Sequence, residues 1–152
     1  MGATNRLRWV VVAALSCALP VIAHHSFSAE FDAQKRISLK GTVAKVDWMN
    51  PHIWIYLDVK DEKGAAVRWQ CEGGPPNTLT RNGWTKDALK EGDAVSIDGT
   101  LSKDGSRTCN ATSINLPDGR RVFAGSSGGD AAAPGSQYVN PNSIGQAKQQ
   151  KQ

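Results

Sequence analysis

Residues 37–60 read ISLKGTVAKVDWMNPHIWIYLDVK, and their alternation decides the fold. Apolar and polar residues follow the two-residue period of a strand, in which successive side chains point to opposite faces. Ile37, Leu39 and Gly41 share one phase, and Val46 and Trp48 share the opposite one, so the phase slips within a strand expected over 37–48. A bulge or bend near Gly41 accounts for the slip, and such a bend lets one strand serve both sides of a barrel. Met49-Asn50-Pro51 is a turn. Strand two is expected over 52–60, with Ile53, Ile55, Leu57 and Val59 on the apolar face and His52, Trp54, Tyr56 and Asp58 on the other.

Working outward, Asp61-Glu62-Lys63-Gly64 is a hairpin turn into strand three over 65–72, where Val67, Trp69 and Cys71 share a phase. Gly73-Gly74-Pro75-Pro76 breaks the sheet. Asn77 is the expected cap of a short helix ended by Gly83, and Thr85 that of a second helical turn reaching Leu89. Leu79, Trp84 and Leu89 are the core contacts of this connection. Strand four carries Val95, Ile97, Gly99 and Leu101 in phase, strand five covers 107–116, and a short last strand covers 122–124. The expected fold is all-β: a small five- to six-stranded barrel of the oligonucleotide/oligosaccharide-binding (OB) type, with a short helical connection between strands three and four. A split or open β meander is the alternative.

The ends are of another kind. Residues 1–23 have a basic start at Arg6 and Arg8, an apolar run from Trp9 to Leu19, and Val21 and Ala23 at the −3 and −1 positions of a cleavage site. That is the layout of a secretory signal, and it predicts an exported protein, periplasmic or secreted, with no transmembrane segment after cleavage. An uncleaved anchor and a lipoprotein site at Cys17 are the rivals, against a short apolar run and a poor Ala14-Leu15-Ser16 context. From Gly125 the chain turns to Gly, Ser, Ala, Asn and Gln, so 127–152 is expected to be a disordered low-complexity tail. The barrel domain is then 24–126.

The chain has 152 residues and a formal net charge of +4. That length excludes a doubly wound enzyme with a second domain and a (β/α)8 barrel. Loss of Arg6 and Arg8 with the signal leaves about +2, which is not the concentrated basic field of a nucleic-acid binder. Cys71 and Cys109 remain in the mature chain and allow one bridge between strands three and five. Cys109 has the opposite parity to Ile114 and Leu116, so the bridge requires a bulge in strand five. Neither cysteine has the Cys-x-x-Cys spacing of a redox or metal site.

The sequence contains no Gly-x-Ser-x-Gly elbow, His-Glu-x-x-His or phosphate loop. Its three histidines are His24, His25 and His52. Cleavage after Ala23 would leave His24 as the first residue, offering an amino group and an imidazole to one metal ion. His52 could supply a third nitrogen, a set that suits Cu(II), and Met49 a soft ligand for Cu(I). The opposing view makes His25 and His52 ordinary hydrogen-bonded histidines. A second candidate is the polar-phase face of strands two and three, where Trp54 and Tyr56 would lie beside Arg68 and Gln70. Aromatic rings with a cation suit sugars, aromatic compounds or unpaired bases. Glu30, Asp32 and Asp47 have no fixed spacing and read as solvated acids, and Asn110-Ala111-Thr112 has the form of a glycosylation sequon.

Ala23-His24-His25-Ser26-Phe27, Glu30-Phe31-Asp32, Leu39-Lys40-Gly41-Thr42-Val43, Trp48-Met49-Asn50-Pro51-His52 and Asp118-Gly119-Arg120 together resemble a family of short exported bacterial proteins classed as a domain of unknown function. The resemblance runs over roughly residues 20–128 and implies export and a compact β domain, not a reaction. Cys71 and Cys109 lie outside its pattern.

The sequence thus reads as an exported, non-enzymatic module, expected to be monomeric. It would bind a small molecule or a protein, not nucleic acid, through the Trp54/Tyr56 face or the barrel mouth. The alternatives are a copper-binding protein using the mature N-terminal histidine, and a small copper-dependent oxidase or hydrolase.

Overall fold

A computed structural model of the chain describes residues 27–125 and 137–144. After a single helical turn, α1 (Phe27–Glu30), the first strand β1 runs from Phe31 to Asp47. Its 17 residues exceed the usual strand length because its two halves have different partners. Residues 36–42 pair antiparallel with β4 (Ala94–Ser102), and residues 41–47 pair antiparallel with β2 (Trp54–Lys60). Gly41 and Thr42 pair on both sides at once. Gly41 suits that crossing because a Cβ there would stand 2.6 Å from the carbonyl oxygen of Asp58. The phase slip seen in the sequence is a bulge between Val43 and Lys45, just past Gly41.

The expected alternation of the second strand holds: Ile53, Ile55 and Leu57 are fully buried and Val59 nearly so. A tight turn at Asp61–Gly64 leads into β3 (Ala66–Glu72), which pairs antiparallel with β2 and parallel with β5 (Thr108–Asn115). β4 pairs antiparallel with β5. The order β1–β2–β3–β5–β4 returns to β1, so these five strands close into a ring around the core. The all-β class and the helical connection between β3 and β4 therefore stand.

Details of that connection differ from expectation. The helix α2 spans Pro76–Arg81, and its N-cap is Pro75, with no side-chain cap bond. Asn77 lies inside the helix, because Pro76 takes the first helical position, where its fixed φ fits and its missing N–H costs nothing. Thr85–Leu89 forms a turn and not a second helical segment. Leu79, Trp84 and Leu89 are nevertheless all buried, and the Trp84 indole donates to the Phe123 carbonyl at 2.7 Å.

Cys71 and Cys109 form a disulfide across the parallel β3–β5 pair, with Cα atoms 4.6 Å apart. The parity obstacle is removed by a register shift: Asp98 pairs with Ser113 but Gly99 with Ala111, which makes Thr112 an extra residue. Cys109 and Ala111 thereby join Ile114 on the inner face, and all three are fully buried. The Thr112 hydroxyl holds the bulge by donating to the Asp98 carbonyl at 2.9 Å.

β6 (Arg121–Phe123) pairs antiparallel with β5. Within 127–152, where the sequence carries little apolar material, residues 137–144 form structure. β7 (Gln137–Tyr138) runs parallel to β1 at Lys35 and Arg36, and a 3-10 turn follows at Pro141–Ser143. Its anchors are few: Val139 and Ile144 pack against the core, Val139 N–H donates to the Arg36 carbonyl at 2.7 Å, and the Asn140 side chain accepts from Asn142 N–H. No helix among the described residues is long and apolar enough to cross a membrane.

Candidate functional site

The outer face of β2 carries the aromatic pair. In register, Tyr56 lies between Lys45 of β1 and Gln70 of β3, Trp54 between Asp47 and Glu72, and Asp58 between Thr42 and Arg68. Trp54, Tyr56, Arg68 and Gln70 therefore share one face, as the alternation requires. The polar groups of Arg68 and Gln70 are engaged by neighbouring side chains. The Arg68 guanidinium donates to both oxygens of Asp58, at 2.6 and 3.2 Å. Gln70 donates to the Thr108 hydroxyl at 2.9 Å. Lys45 stands 5.6 Å from the Tyr56 ring centroid and 2.7 Å from Asp47. These hydrogen bonds hold the Lys45 ammonium and the Arg68 guanidinium above their ordinary pKa values, with the nearby charges of Asp47 and Asp58 adding to the effect. Both trends favour the charged forms already present at neutral pH, and both groups are exposed, so they add little stability. The rings are half-buried within this lattice.

The metal-ligand candidates are separated differently. His24 and His25 lie outside the described residues. His52 stands just before β2, and its Nδ1–H donates to the carboxylate of Glu72, the last residue of β3. Glu72 is 7% exposed, whereas the His52 side chain keeps 31% of its surface. A carboxylate on Nδ1 selects the tautomer whose Nε2 carries a free lone pair, the arrangement that orients a ligating imidazole. Met49, in the turn that precedes His52, is 51% exposed. No group of three or more His, Cys, Asp or Glu side chains suited to a metal occurs among the described residues. Beside Glu72 in register is Asn110, 2% exposed, whose Oδ1 is buried without a hydrogen-bond partner. That burial removes Asn110-Ala111-Thr112 from consideration as a surface glycosylation acceptor.

A groove of about 560 Å³ opens at one end of the ring. Val59, Val67 and Trp69 contribute apolar lining, the β2–β3 turn gives Asp61, Glu62 and Lys63, and Arg107 stands just before β5. Pro141, Asn142 and Ile144 complete the wall. The Asp61 carboxylate is occupied by its own turn, accepting from Lys63 N–H at 2.9 Å and Ala65 N–H at 2.8 Å. The Lys63 ammonium and the Arg107 guanidinium have no side-chain partner among the described residues. Sequence reasoning named the barrel mouth but none of its cations. Lys63 and Arg107 become neighbours of one cavity only through the parallel β3–β5 pairing, and no local pattern signals that pairing.

The model of a family of unknown function, DUF6152, matches residues 12–111. No curated protein matches the chain. Among solved structures, the complex of TiaS with a tRNA and ATP is 24% identical at a TM-score of 0.40, covering 53% of this chain and 18% of that one. A ZRD-deleted mutant of TiaS in complex with agmatine is 23% identical at a TM-score of 0.40, covering 72% of this chain and 27% of that one. The chain thus spans about a fifth to a quarter of the TiaS chains it matches, and no residue role passes from them to it.

Proposed function

The chain belongs to the DUF6152 family of unknown function, and we propose that it is an exported, non-enzymatic binding module whose ligand site is the mouth of the strand ring. The observation that carries this reading is the groove itself. It combines an apolar lining from core strands with Lys63 and Arg107, two cations lacking side-chain partners among the described residues. Its volume of about 560 Å³ falls in the range of small-molecule sites. The Trp54/Tyr56 face is the weaker candidate, because a ligand there would have to displace the Arg68–Asp58, Gln70–Thr108 and Lys45–Asp47 contacts. Export is supported by the layout of residues 1–23.

The test is a two-dimensional NMR titration of the isotope-labelled chain with a small-molecule fragment library. Shifts concentrated at residues 61–63, 107 and 141–144 are the expected result. Shifts concentrated at Trp54, Tyr56, Arg68 and Gln70 would move the site to the outer face and overturn the assignment to the mouth.

A second reading, a copper protein, is favoured by the His52–Glu72 pair, which leaves Nε2 of His52 available. In that reading His24, His25 and Met49 would provide the remaining ligands.

A further inference from the structure

We infer that the mouth groove takes a small amphipathic monoanion, its apolar body against Val59, Val67 and Ile144 and its acidic head between Lys63 and Arg107. The inference rests on the mouth being the ligand site and goes on to name the chemistry that fits it. The two cations come from different elements, the β2–β3 turn and the residue before β5, so a head group between them would be gripped from two sides. Two acids share the lining. Asp61 accepts from two backbone N–H groups of its own turn, and Glu62 is the exposed residue between it and Lys63. Asp61 and Glu62 balance the two cations in charge, so the lining offers a polyanion no surplus positive field, and a single acidic head is held by direct donation from Lys63 and Arg107, which have no side-chain partner among the described residues. The apolar lining asks for a hydrocarbon or aromatic body that water solvates poorly.

Two dyes with one ring system test this: 8-anilinonaphthalene-1-sulfonate, and N-phenyl-1-naphthylamine, which lacks the sulfonate. The purified chain is titrated with each and binding is read by fluorescence. The sulfonate dye should bind saturably and about tenfold or more tighter than the neutral one, as a charge-assisted contact requires. Lys63→Gln and Arg107→Gln should each weaken it by about three- to fivefold, and more at low salt. Lys40→Gln, the same charge loss on the exposed side of β1, should leave it unchanged. Equal binding of both dyes, each weakened by Ile144→Asp, would overturn the anionic class while leaving the site in place. Binding of both dyes that ignores Lys63→Gln, Arg107→Gln and Ile144→Asp would overturn the mouth reading itself, and this inference with it.

Discussion

His52 shows how far a single residue can be read before its neighbours are known. Its rarity and its place after Pro51 were visible in the chain, but its partner was not. Glu72 is 20 residues away and reaches it only because Trp54 pairs with Glu72 across β2 and β3. A buried carboxylate on Nδ1 is the kind of support whose removal weakens a metal–imidazole bond by roughly tenfold or more. If the copper reading holds, His52→Ala should lose Cu(II) affinity outright and Glu72→Gln should lower it by about that factor, as measured by competition with a chromophoric chelator. Wild-type affinity in both variants would remove His52 from any copper site. The aromatic face was legible for the opposite reason. Its residues alternate along one strand, and period two places them together whatever the register. What alternation cannot show is that Arg68 and Gln70 are already bound to Asp58 and Thr108.

At the scale of elements, regular patterning was readable and its interruptions only partly so. The slip in β1 announced a bulge because both of its phases are apolar, and the bulge lies within three residues of Gly41. The extra residue Thr112 in β5 gave no such sign, since Ala111 and Thr112 are small enough to sit on either face. That residue decides whether Cys109 can meet Cys71. The bridge closes a loop with a sequence separation of 38, which in the chain-entropy treatment corresponds to about 3–4 kcal/mol. Replacing both cysteines, Cys71→Ala with Cys109→Ala, should lower the urea-unfolding free energy by about that amount. A loss under about 1 kcal/mol would mean that the β3–β5 pair is held by its ladder and packing alone.

The whole molecule is a ring plus a late addition from the C-terminal side. Composition made 127–152 read as unstructured, and the reading missed Val139, Pro141 and Ile144 because three residues among many Gly, Ser and Gln do not move an average. They matter through position: β1 leaves the β4 ladder between Phe31 and Arg36, and the backbone there accepts β7. A chain ending at residue 136 loses the half-buried contacts of Val139 and Ile144, about 1–2 kcal/mol. Its melting temperature should fall by roughly 5 °C, and the mouth should lose one wall. An unchanged melting temperature would show that residues 137–144 add nothing to stability. The double use of β1 has a further consequence during synthesis. In chain order β1, β2 and β3 form a meander, and the strands that cover the first half of β1 and the far side of β3 come later. A chain exposed only as far as the connection between Glu72 and Ala94 would carry two open edges, each a template for another chain, until β4 and β5 join.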